Sequence, residues 1–76
     1  MNIYLISQYE NTGYNTYNTA VVVAESEEAA RLTHPSDEEE WIDESWADPD
    51  DVEVELLGEA VDGSRAGVVC ASFHIG

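Results

Sequence analysis

Positive charge is what this chain lacks most. It contains no lysine, and Arg31 and Arg65 are its only arginines, against 17 aspartates and glutamates. The formal net charge is −15. A surface of that sign repels anionic lipid headgroups and nucleic-acid phosphates, so neither direct nucleic-acid binding nor membrane attachment is expected. Cysteine is nearly absent as well: Cys70 stands alone, which excludes an internal disulfide and fits a reducing cytoplasm. No apolar run approaches the length of a membrane span. The opening residues Met1–Ser7 lack the basic flank and long apolar stretch of a secretory signal. Only two prolines, Pro35 and Pro49, interrupt the chain.

The apolar content is 43%, too high for a disordered polyanion. With 76 residues the expectation is one small acidic domain spanning 1–76. A domain of this size buries only about 60% of the surface its unfolded chain exposes. Solubility alone would be served by a net charge of magnitude roughly 2–8. The excess therefore asks for a further reason, and self-repulsion of this size favours a monomer.

Most of the acid lies in one stretch. Between Ser36 and Glu55 the chain reads SDEEEWIDESWADPDDVEVE, with 11 carboxylates and no cation. Ser36 and Glu39 have the spacing of a capping box, which predicts a helix ended by Asp48-Pro49. On such a helix Trp41, Ile42, Ser45 and Trp46 fall within an arc of roughly 140°. Glu39/Asp43 and Glu40/Glu44 would then be like-charge neighbours four apart, each costing about 0.2–0.5 kcal/mol. An irregular loop pinned by the two tryptophans is the alternative. Either way, carboxylates stand where local stability disfavours them, which makes the surface potential itself the feature to explain.

Around this stretch the pattern predicts an α+β domain: a four-stranded antiparallel sheet with one or two short helices on one face, in the order β-β-α-(α)-β-β. Residues 2–8 read as a strand with Ile3, Leu5 and Ser7 on one face and Tyr4, Ile6 and Gln8 on the other. Because both faces are partly apolar, a central position suits it, or one covered by aromatics. Residues 9–19, rich in Asn, Thr and Tyr, read as a long polar connection, with Tyr9, Tyr14 and Tyr17 as contact area for a partner. A strand is expected over 19–25, then Ser26 as an N-cap with Glu27 and Glu28 in the first turn and Pro35 as the stop. Arg31, three and four positions after Glu28 and Glu27, is expected to pair with them. Residues 52–61 read as a strand with Val52, Val54 and Leu56 inward and Glu53, Glu55 and Leu57 outward. Gly58 marks a bulge or an end. The Asp62-Gly63 turn leads into a last strand over 68–75.

Chemistry-bearing constellations are scarce. Cys70 and His74 share a strand face but lie roughly 13 Å apart along it, whereas a nucleophile and its base must sit at about 3 Å. Cys70 is expected as a small buried residue, and His34 and His74 as surface or terminal ones. The run Asp48-Pro49-Asp50-Asp51-Val52-Glu53 has oxygens for calcium but lacks the glycine and distal glutamate of an EF-hand loop. No catalytic residues, metal site or cofactor are therefore expected. The expectation is a non-enzymatic protein whose carboxylates, Glu39, Glu40, Asp43, Glu44, Asp48, Asp50, Asp51, Glu53 and Glu55, meet a basic partner. Tyr14, Tyr17, Trp41 and Trp46 are candidate aromatic anchors, although the two tryptophans are read first as core, since so small a domain has few other large apolar groups. Outward Glu53 and Glu55 would stand about 6.8 Å apart, on the scale of phosphate spacing along a nucleic-acid strand.

The segments MNIYLISQ, AVVVAESEEAARLTHP, VEVELLGEA and GVVCASFHIG resemble a family of short uncharacterised bacterial and phage proteins. That resemblance brings no catalytic motif and no functional residue. In size and acidity the chain is also similar to phage anti-CRISPR proteins and other DNA mimics. This second likeness implies an inhibitor in the bacterial cytoplasm that occupies the DNA-binding surface of a Cas effector. The alternative is an antitoxin-like acidic module that binds one basic bacterial protein without nucleic-acid mimicry.

Overall fold

A computed structural model describes residues 1–10, 13, 16–36 and 46–74 of the chain. Four strands, β1 (Asn2–Ser7), β2 (Thr16–Ala24), β3 (Glu53–Glu59) and β4 (Gly67–His74), form one antiparallel sheet. A five-residue helix, α1 (Glu27–Arg31), follows β2, and a 3-10 turn (Pro49–Asp51) precedes β3. The predicted α+β class holds. The strand order is β3-β1-β2-β4, so the expected central position of β1 holds too.

The last two strands depart from simple hairpin succession. Asp62 and Gly63 do form a turn: the Ser64 N–H and hydroxyl both donate to the Val61 carbonyl, at 3.1 and 2.6 Å. Gly63 takes φ +88° there, a conformation that a residue with a Cβ resists. Yet β3 and β4 do not pair with each other. β3 pairs with β1 and β4 with β2, so the two strands that flank this turn end on opposite edges of the sheet. Turn chemistry specifies a local reversal; it leaves open which strand each arm then joins.

Alternation sorts the side chains into two faces. Tyr4, Ile6, Ala20, Val22 and Ala24 point to one face and join Ala30, Trp46 and Val52 in the buried cluster. Paired positions share a face. Tyr4 opposes Val22 and Ile6 opposes Ala20, which fixes the register of β1 and β2. The second face carries Ile3, Leu5 and Ser7 from β1 and Val21 and Val23 from β2, in the alternation predicted for residues 2–8. Ser26 caps α1 as expected, its hydroxyl accepting from the Ala29 N–H at 3.1 Å. The helix closes earlier than Pro35, at a Leu32 cap.

Two expectations fail at the β1–β2 connection. β2 begins at Thr16, not at 19, because Gln8 ties the incoming chain. The fully buried Gln8 donates through Nε2 to the Tyr17 carbonyl at 2.8 Å and through its backbone N–H to that of Asn18 at 3.2 Å. Its Oε1 accepts from the Glu10 N–H at 2.9 Å. A register shift at Asn18 then turns Tyr17 toward the core, where it is half-buried. Arg31 also differs from expectation. Its Nη1 donates to the Val52 carbonyl at 2.6 Å, a tertiary link from α1 to the entrance of β3 in place of local pairing with Glu27 and Glu28. The second predicted helix falls largely on residues outside the described ones. Its described end, Trp46 and Ala47, is buried and not helical.

Candidate partner-binding edge

β3 forms one edge of the sheet, and the chain enters it through an acidic corner. Pro49, with its fixed φ, opens the 3-10 turn after Asp48. The Asp51 N–H donates to the Asp48 carbonyl at 2.9 Å and the Val52 N–H to the Pro49 carbonyl at 3.2 Å. These bonds hold Asp48, Asp50 and Asp51 outward, all three exposed. Val52 then plunges into the core, and the Arg31 guanidinium caps its carbonyl. The corner is thus pinned by one apolar side chain and one charge-assisted bond, an interaction of the stronger class.

Beyond Val52 the strand alternates. Val54 is half-buried against the core, while Glu53 and Glu55 are exposed on the second face, opposite Ser7 and Leu5. Sharing a face at two residues' separation puts their Cα atoms about 6.8 Å apart. Between them and β1 lies an open groove of about 350 Å³ lined by Leu5, Ser7, Tyr9, Glu53, Val54 and Glu55. Tyr9 is 72% exposed and is the aromatic that stands beside these carboxylates.

The predicted alternation of β3 holds to Val54 and then breaks. Leu56, expected inward, is 61% exposed. It shares the face of Tyr4 but sits on the outermost strand, beyond what the small core covers. A register shift between Ile3 and Tyr4 then places Gly58 opposite Ile3, so the expected bulge near Gly58 is present.

Of the sequence-derived carboxylates, the structure gathers Asp48, Asp50, Asp51, Glu53 and Glu55 along one corner and edge. Glu39, Glu40, Asp43 and Glu44 lie outside the described residues, as do Tyr14 and Trp41. Trp46 is buried to 1% and is a core residue, so it cannot anchor a partner. Tyr17 is likewise turned inward, 6.3 Å edge-on from the His34 ring. Tyr9, one of the three tyrosines expected as contact area, lies beside the carboxylates instead, because β1 pairs laterally with β3.

Both remaining chemistry-bearing residues also sit contrary to expectation. His34 is buried beneath Tyr17 and Trp46. Its Nδ1 accepts from the Ser36 N–H at 3.1 Å and lies 2.8 Å from the Ser36 hydroxyl. A ring nitrogen that accepts from a backbone N–H carries no proton, so the proton of the neutral ring is on Nε2. Cys70 is exposed rather than buried, because β4 is an outer strand and position 70 pairs with Val21 on the second face. Among the described residues no three His, Cys, Asp or Glu side chains converge as a metal site requires, and no helix is long and apolar enough to cross a membrane.

No protein-family model matches the chain, and neither a curated protein nor a solved structure matches it at a significant level.

Proposed function

We propose that this protein is a non-enzymatic inhibitor that mimics the charge of DNA, with the DNA-binding surface of a Cas effector complex as its candidate target. The observation that carries this reading is the β3 edge. Exposed carboxylates continue from Asp48 through Asp50 and Asp51 to Glu53 and Glu55 on a corner held by Val52 and Arg31. Rigidity matters because fixed carboxylates reach a basic channel without the ordering cost that a disordered acidic tail incurs. A contact of this kind forms fast and weakens with salt, since it replaces phosphates among Lys and Arg side chains.

One observation favours the second reading, an acidic module for a single basic protein. The groove beside Glu53 and Glu55 is partly apolar, with Leu5 and Tyr9 in its wall. An arginine or lysine side chain, with its apolar stem and charged tip, fits such a groove. A bare phosphate mimic has no use for it.

Capture of partners from the lysate of a CRISPR-bearing bacterium, with and without excess duplex DNA and at low and high salt, separates the two. A nucleoprotein complex captured only when DNA is absent and salt is low supports mimicry. A partner indifferent to DNA removes it and leaves the second reading. Glu53→Lys/Glu55→Lys should weaken either interaction by about tenfold or more, the equivalent of roughly 1.4 kcal/mol, while leaving the circular dichroism spectrum unchanged. Unchanged binding by that variant takes the β3 edge out of the site.

A further inference from the structure

The opposite edge of the sheet differs in kind. Every strand edge exposes a row of unpaired backbone N–H and C=O groups, and proteins protect such rows with charges, prolines or bulges. β3 carries Glu53, Glu55 and Glu59 along its edge. β4 reads GVVCASFH, without a formal charge or a proline, in a chain where acids otherwise abound. From Gly63 to Gly76 there is no acidic residue at all. The pairing of β4 with β2 has two irregularities. One is a register shift that leaves Val69 unpaired between Val68 and Cys70 and 63% exposed. The other is the shift at Asn18, whose extra residue lies on β2 and leaves Ser72 and Phe73 consecutive in the ladder. Beyond Val69 β4 continues from Cys70 to His74. Cys70, Ala71 and Ser72 are all exposed there.

We propose that β4 pairs antiparallel with β4 of a second copy of this chain, through residues 70–74, to give a two-fold dimer with a continuous eight-stranded sheet. The occupant follows from charge. A second copy presents the same uncharged strand, and a two-fold axis makes that patch self-complementary. The resulting order, β3-β1-β2-β4 against its own reverse, sends the acidic β3 edges to the two far ends. Seven strand spacings separate them, about 34 Å, against a screening length of about 8 Å at physiological ionic strength. Pairing through β3 would instead place two glutamate-bearing strands side by side, about 5 Å apart. A net charge of −15 favours a monomer only if it is spread evenly, and along this sheet it is not. The inference concerns the uncharged edge and holds whatever the acidic edge binds.

Sedimentation equilibrium of the full chain tests it, run at several concentrations and at two salt levels. The expected result is a species of twice the 8.4 kDa chain mass that strengthens with salt. Cys70→Glu/Ser72→Glu places carboxylates on the paired strands and should weaken dimerisation at least about tenfold, since like charges across a strand pair repel. Glu53→Gln/Glu55→Gln should leave it intact. Because Cys70 is the only cysteine, a nitroxide there reports the interface without substitution: pairing of these strands holds the two labels within about 20 Å. That distance measurement stands even if the double variant fails to fold. A monomer at all concentrations overturns the proposal, and so does a dimer whose labels lie well beyond that distance.

Discussion

The two outer strands of this sheet are built from the same backbone geometry and carry opposite instructions. β3 is entered through an acidic corner, held from behind by Arg31 and Val52, and lined with Glu53 and Glu55. β4 is held by β2 through its ladder and carries no formal charge. A glutamate row discourages strand addition and attracts cations; an uncharged row permits strand addition and attracts nothing at long range. In the proposed arrangement recognition falls to one edge and assembly to the other, which requires that the charge be segregated. Composition alone, expressed as a net −15, hides that segregation.

The comparison breaks most severely at the shared core. Trp46, 1% exposed, packs in the cluster that backs both β1 and β2. Trp46→Ala should cost about 3–5 kcal/mol, a large part of the roughly 5–15 kcal/mol a domain commands. Urea denaturation should show the loss, and partner binding and dimerisation should fail together. A variant that lost only one of them would mean that the edges do not share a support.

Arg31→Met sharpens the comparison. It removes the bond to the Val52 carbonyl, and a hydrogen bond to a charged group contributes about 1.5–3 kcal/mol. Amide exchange should accelerate in β3 and leave β4 close to wild type, since the link reaches only the β3 entrance. Equal acceleration in both strands would show that Arg31 supports the whole fold and not one edge. Ser26→Ala should act more weakly, at about 1 kcal/mol. It removes the hydroxyl that caps α1, and its effect in denaturant titration should fall on the helix side of the sheet. Gly63→Ala should be of similar size. Its Cβ would meet nothing within 4 Å, so the cost is the φ of +88° alone, about 1–2 kcal/mol. A much larger loss of melting temperature would show that the connector between the two edges bears load.

Much of this was legible in the residues, for identifiable reasons. Ile3/Leu5 and Tyr4/Ile6 made β1 apolar on both faces, and such a strand belongs in the interior of a sheet. Ser26 before two glutamates announced α1. Glu53 and Glu55 alternating with Val52 and Val54 put the carboxylates outside. What stayed hidden depends on partners distant in sequence. Asp62-Gly63 specifies a turn, and nothing in it says that the arms will part to opposite edges. Tyr17 looked like a loop residue because Gln8, nine positions earlier, is what draws it into β2. His34, between Thr33 and Pro35, gave no periodicity from which its burial could be read. Cys70 sits in an apolar run that reads as core, yet an outer strand leaves such a run exposed.

The strand order also decides when each part of the molecule can become structured. β1 and β2 are neighbours in sequence, but their lateral partners are remote: Asn2 waits for Glu59, and Thr16 for His74. Pairings that distant slow folding, because the loops must close before the contacts reward them. During synthesis at about 5–20 residues per second, the first hairpin spends on the order of seconds with both flanks bare. It is a nascent template with two vacancies, and the ribosome delivers the acidic occupant first and the uncharged one last.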